Sequence, residues 1–203
     1  MADTLLRTPT IDDPLRILVS ACLIGTQCGV DGTSYGEYPT VHKLLHYKNV
    51  RLLPFCPENF SFGTPREMCD IHGGTGEDVL DGKAKVITES GVDWTEGLIK
   101  AAQRMVTVAK LNNVELCVMM DISAACGSTV IYDGNRLVKN PVYQMGEGVC
   151  TALLRRNGFA VISQRDYASL ERLYAAIDPN HIVNPNLKNH DKNEWYVGYF
   201  NKT

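Results

Sequence analysis

The 203-residue sequence has no apolar run of membrane-spanning length, and its opening stretch, MADTLLRTPTIDDPLR, carries carboxylates and Pro14 where a secretory signal would have a long apolar core. Neither a membrane-embedded nor an exported protein is expected, and the expected compartment is the cytoplasm. Long runs of like charge are also missing, and the net charge is only −3. That balance excludes duplex nucleic acid and an anionic membrane as expected main partners and leaves small-molecule chemistry open. Neither the Walker A pattern nor the GxGxxG fingerprint occurs, so the glycines between Gly25 and Gly32 do not form a recognised phosphate loop. Internal repeats and low-complexity tracts are absent too. What remains is a chain with 44% hydrophobic residues, enough to bury one sizeable core.

Seven cysteines, an odd number, are scattered through a chain too large to need covalent staples. A disulfide framework is therefore not expected, and metal binding, catalysis or simple burial must account for them. Three of them share a context. Cys22 follows the apolar run Arg16 to Ala21, Cys56 follows Val50 to Phe55, and Cys126 comes shortly after Val114 to Met120. If those runs are neighbouring parallel strands, their carboxyl ends lie along one sheet edge, where open α/β sheets hold ligands. Three convergent thiolates can hold a soft metal centre and leave one coordination position for a substrate.

The order of elements predicts a single α/β domain with a Rossmann-like, mostly parallel sheet flanked by helices. Pro39 suits the first turn of a helix that places Val41, Leu44 and Leu45 on one face. Glycine, proline and charge dominate Cys56 to Gly82, which reads as a long loop lining or covering a site. A helix is expected from Asp93, capped by that side chain with Glu96 completing a capping box, and with Leu98, Ala101, Ala102, Met105 and Ala109 facing the sheet. Val114 to Met120 reads as a central buried strand. Ile131 to Val138, broken at Asp133-Gly134-Asn135, reads as a small hairpin. A helix from Glu147 is stopped by Asn157-Gly158, and Phe159 to Ser163 forms the last strand. Beyond it, Leu170, Leu173, Tyr174 and Ile177 line one side of a helix. An aromatic tail, Trp195, Tyr196, Tyr199 and Phe200, is expected to pack on the domain or on a second subunit, so a homodimer is possible.

The sequence resembles the TudS-like thiouracil desulfidases over residues 16 to 166, with residues 167 to 203 as an extension. The resemblance rests on Ser20-Ala21-Cys22-Leu23-Ile24-Gly25 leading to Asp31-Gly32, on Cys56-Pro57-Glu58 followed by Pro65-Arg66, and on Asp78-Val79-Leu80. It continues in Ser123-Ala124-Ala125-Cys126-Gly127 leading to Tyr132-Asp133-Gly134, and in Gly146-Glu147-Gly148-Val149. It implies a 4Fe-4S cluster held by Cys22, Cys56 and Cys126, with one iron free of protein ligands to take the sulfur of a thiolated base or nucleoside. It further implies Glu58 as the catalytic carboxylate and Ser123 as an active-site hydroxyl. The chain departs from the family in Cys28-Gly29-Val30-Asp31-Gly32, where relatives read Cys-Arg-Tyr-Asp-Gly. It also has Met120 in place of a lysine and lacks the proline of Ser-Pro-Ser-Cys.

Other readings of these residues stay open. Cys28 is a possible fourth ligand, a redox partner or a loop thiol. Cys69 and His72 form a C-x-x-H pair, which admits a structural zinc site without catalysis. A cysteine-nucleophile sulfur transferase would need one low-pKa thiolate and no metal. Cys117 and Cys150 read as core residues. Arg66 reads either as an anion binder or as a structural partner of Asp70 or Asp78. His181 and His190 read as surface residues.

Overall fold

The apolar runs around Leu18, Leu53, Val118 and Ile162 are parallel neighbours of one sheet in the computed structural model, which describes residues 7–34 and 38–201. Residues 1–6, the start of the stretch unlike a secretory signal, lie outside the described residues. In chain order the elements are β1 (Leu15–Ser20), α1 (Pro39–His42), β2 (Val50–Phe55), α2 (Pro57–Phe62), β3 (Cys69–His72), α3 (Gly76–Leu80), β4 (Lys85–Thr88) and α4 (Thr95–Leu111). There follow β5 (Leu116–Met119), β6 (Val130–Tyr132), β7 (Tyr143–Met145), α5 (Val149–Arg156), β8 (Val161–Ser163), α6 (Tyr167–Ile177) and α7 (Glu194–Phe200).

The main sheet has the order β2-β1-β5-β8, all parallel, with Val19 beside Pro54 on one side and Val118 on the other. Pro54, which cannot donate to a ladder, is tolerated because β2 is an edge strand. Strand alternation sorts the core into two layers. Leu18, Cys117, Met119 and Val161 face Leu98, Ala101, Ala102 and Met105 of α4 and Val149, Cys150 and Leu154 of α5. Ile17, Val19, Leu116 and Val118 face Val41 and Leu44 on one hand and Leu170, Leu173, Tyr174 and Ile177 of α6 on the other. The chain leaves β1 outward to β2 and returns to β5 on the other side, so the strand order reverses at β1. The crevice beyond the carboxyl ends of these strands is the position where such sheets bind ligands.

Several expectations need correction. The stretch from Cys56 to Gly82 is not a loop: it contains α2, β3 and α3. Each is six residues or shorter, too brief for a periodicity to emerge above its glycines and prolines. The capping box forms at α3, between Thr75 and Asp78, and not at α4. Asp93 instead accepts from the Thr95 amide at 3.0 Å, and Glu96 pairs with Lys100 one turn on. The hairpin partner of β6 is β7, ten residues away, and the 136–138 segment is no strand, with Leu137 56% exposed. The aromatic tail packs on this chain. The Tyr143 amide donates to the Tyr199 hydroxyl at 2.9 Å, and Trp195 meets the Tyr143 ring edge-on.

His190 is buried, not a surface residue, and its Nδ1 lies 2.6 Å from Asp166 Oδ1. Burial pushes the Asp166 carboxyl up, but the His190 side chain and the Ser163 amide outweigh it and hold the group below the usual carboxylate range. Burial disfavours His190 charge as well, yet Asp166 outweighs it and raises the imidazole above its ordinary value. Among the described residues no helix is long and apolar enough to cross a membrane.

Candidate active site

β2, β1 and β5 are adjacent strands, and each delivers a cysteine to the same side of the sheet edge. Cys22 lies in the 3-10 turn Ala21–Ile24 that follows β1, closed by Gly25 in a left-handed conformation at φ 86°. Cys56 is the N-cap of α2: its Sγ accepts from the Asn59 amide at 3.4 Å, and Pro57 starts the helix at a position needing no donor. Cys126 closes the turn after β5. There the Ser123 Oγ accepts from the Ala125 and Cys126 amides at 3.2 and 3.1 Å, and the Gly127 amide donates to the Ser123 carbonyl at 2.8 Å. The start of α5 presses on that turn so closely that a Cβ on Gly148 would stand 2.5 Å from the Ala125 carbonyl carbon. A glycine is required there.

All three cysteines line one cavity of about 180 Å³, together with Cys28, Cys69, Glu58, Arg66, Ser123 and Arg136. Ser20, Phe55, Met68, Met120 and Ile122 are also part of its wall. Ser20 locks the rim, its hydroxyl accepting from the Met120 amide across the strand ends at 3.0 Å. The Cys28 thiol is pushed up to about 11, first by its hydrogen bond with Cys22, with burial adding to the rise. Cys56 is raised by its hydrogen bond with Cys28 and by burial, and Cys126 by burial, partly offset by the Ser20 hydroxyl. Without a cation these sulfurs hold their protons, so any metal that binds must displace them.

Glu58 stands on the first turn of α2, 19% exposed, and its Oε2 is held by Arg66 Nη2 at 2.8 Å. Arg66, only 3% exposed, has Glu58 as its carboxylate partner, where a pairing with Asp70 or Asp78 was one of the two readings above. It also donates to the carbonyls of Cys28, Gly29 and Gly63 and to Thr64, so one guanidinium ties the Cys28 loop to the helix of Cys56 and Glu58. Asp70 is taken by Arg136, from the β6–β7 connection, with Nη2 to Oδ1 at 2.5 Å. Sequence reasoning missed Arg136. Its only local signal is the turn before it, and its partner lies 66 residues away.

The remaining sulfur and imidazole groups separate cleanly. Cys117 is inside β5, and Cys150 is inside α5, both buried in the core. Cys69 faces the cavity, while His72, an odd number of residues on along β3, belongs to a different depression beside Gly134 and Asn135. Among the described residues no group of three or more His, Cys, Asp and Glu is placed to hold a single metal ion.

Fold and site together define a parallel α/β protein with a soft-donor, cysteine-lined cavity at the switch point of its sheet. Comparison with known proteins narrows this class. The 2-thiouracil desulfurase family model matches residues 17–166, and the chain belongs to that family. It is 40% identical over 151 residues to the uncharacterized protein YbbK of Bacillus subtilis strain 168, covering 74% of this chain and 96% of that one. It is also similar to the solved structure of a 4Fe-4S-dependent thiouracil desulfidase, TudS. That match has a TM-score of 0.62 and 32% identity over 80% of this chain and 99% of the other.

Proposed function

We propose that this chain removes sulfur from a thiolated pyrimidine by non-redox hydrolysis, at an iron-sulfur cluster held by Cys22, Cys56 and Cys126. The observation that carries the reading is the meeting of those three thiols, from three adjacent strand ends, at one cavity that also receives Glu58 and Ser123. A polynuclear cluster spreads its thiolates over different irons, so three thiols that line one cavity can hold it without meeting on a single metal ion. The zinc reading has no such support, because Cys69 and His72 do not share a site.

When bound, the cluster supplies a Lewis acid for the thiocarbonyl sulfur at its position without a protein ligand. The protein moves the protons. Arg66 holds Glu58 Oε2, and Oε1, which has no partner among the described residues, takes a proton from the water that attacks the C=S carbon. Glu58 returns that proton to the departing sulfur. The C=S bond is exchanged for C=O, the two hydrogens of water leave with the sulfur as hydrogen sulfide, and no electron donor is consumed. Two amides already donate to Ser123 Oγ, so its own hydroxyl proton serves an acceptor in the cavity.

The test is turnover by protein purified without oxygen. 2-Thiouracil should give uracil and sulfide in equal amounts with no reductant added. Strict dependence on a reductant, or a persulfide trapped on one cysteine, would reject the hydrolytic mechanism.

A further inference from the structure

We infer that Arg136 is a specificity-determining residue, donating a hydrogen bond to a ring carbonyl oxygen of an uncharged substrate base. The inference rests on the desulfidase reading above and names what else that site recognises. Arg136 lines the cavity and is fixed on several sides. Its Nε donates to Asp70 Oδ1 at 2.8 Å, its Nη2 to the same oxygen and to the Cys69 carbonyl, and its backbone amide to Asp70 Oδ2 at 3.0 Å. The guanidinium carbon lies 4.7 Å from the centre of the Tyr132 ring. Only Nη1 has no hydrogen-bond partner among the described residues, so its two N–H groups are the donors left for a ligand.

Charge selects the kind of ligand. Both guanidinium groups on the cavity wall are committed to a carboxylate, Arg66 to Glu58 and Arg136 to Asp70. Ligating thiolates would add negative charge. A phosphate entering this space would lose its water without gaining a free cation, whereas a neutral carbonyl oxygen needs only a donor. An arginine held rigidly for such an oxygen also rejects the analogue that lacks it, because its donors are then left unpaired.

The experiment uses anaerobically purified, iron-loaded protein and two substrates that share a thiocarbonyl: 2-thiouracil, and 2-thiopyrimidine, which lacks the second oxygen. The wild type should favour 2-thiouracil in kcat/KM by at least about tenfold. In Arg136→Met and Arg136→Lys that preference should fall to near parity, with the iron load unchanged. The lysine variant preserves a positive charge for Asp70 and serves if the methionine variant does not fold. Calorimetry gives a readout apart from turnover: uracil should bind the wild type more tightly than pyrimidin-2-one, and the variants should not distinguish them.

A preference that survives in both variants overturns the role of Arg136 and leaves the desulfidase reading intact. So does an equal loss on both substrates at full iron load, or Arg136-dependent selection of thiouridine 5′-monophosphate over the free base. An iron-loaded wild type that releases sulfide from neither substrate overturns both.

Discussion

At the scale of single residues, the cavity divides its labour between sulfur donors and two carboxylate–guanidinium pairs. In the proposed mechanism Glu58 is the group on which proton movement depends. Glu58→Gln keeps the side chain's size and should retain a full iron load while lowering kcat by about 10²–10⁴-fold, the usual contribution of general acid–base catalysis. Wild-type turnover in that variant would remove Glu58 from the chemistry. In that mechanism Arg66, which holds Glu58 Oε2, acts through Glu58 and not on the substrate. Arg66→Lys keeps the charge but loses the planar fork that reaches the Cys28 loop and the carboxylate together. Its kcat should fall while KM stays within a fewfold. A change confined to KM would place Arg66 on the substrate instead.

At the scale of elements, the site depends on how closely neighbouring segments approach one another. Gly148→Ala drives a methyl group into the turn of Ser123 and Ala125, and should lower stability by about 1–3 kcal/mol, as overpacking does. Chemical denaturation would measure it, and an unchanged midpoint would mean that α5 can retreat from the cysteine turn at no cost. The carboxyl-terminal segment is anchored by the Asp166–His190 pair. The depressed Asp166 value gives stability that is present above the ordinary carboxylate range and lost as pH falls through the lowered value. The raised His190 value gives stability that is present below the ordinary imidazole range and lost as pH rises through the raised value. Stability should therefore be greatest in weakly acidic solution, and Asp166→Asn should flatten both limbs. A variant with the wild-type pH profile would show that this pair contributes nothing to it.

The elements also show what could be read before coordinates. Runs such as Val50 to Phe55 and the face of Leu98, Ala101, Ala102 and Met105 carry their periodicity locally, and the strands and α4 follow from it. α2, β3 and α3 do not, because each is fixed by partners elsewhere: Cys69 to His72 are a strand only opposite Lys85 to Thr88. His190 reads as an ordinary polar residue until Asp166, 24 positions away, is found beside it. The same holds within the site. Cys22, Cys56 and Cys126 were marked by their places after strand-like runs, and Glu58 and Ser123 by the family resemblance alone; all five line the cavity, while Arg136 became visible only through a pairing distant in sequence.

For the whole molecule, the strand order β2-β1-β5 does the essential work, since it brings three cysteines, more than a hundred residues apart at the extremes, to the ends of neighbouring strands. Any function assigned to them stands on their acting as one ligand set. The most direct measurement is the iron and acid-labile sulfide content of anaerobically purified single variants. Cys22→Ser, Cys56→Ser and Cys126→Ser should each lose the bound iron. Cys117→Ser and Cys150→Ser, in the core, should keep it, and Cys28→Ser should keep it because a fourth thiolate ligand would close the position a substrate needs. Full iron in any one of the first three would contradict a cluster held by these cysteines.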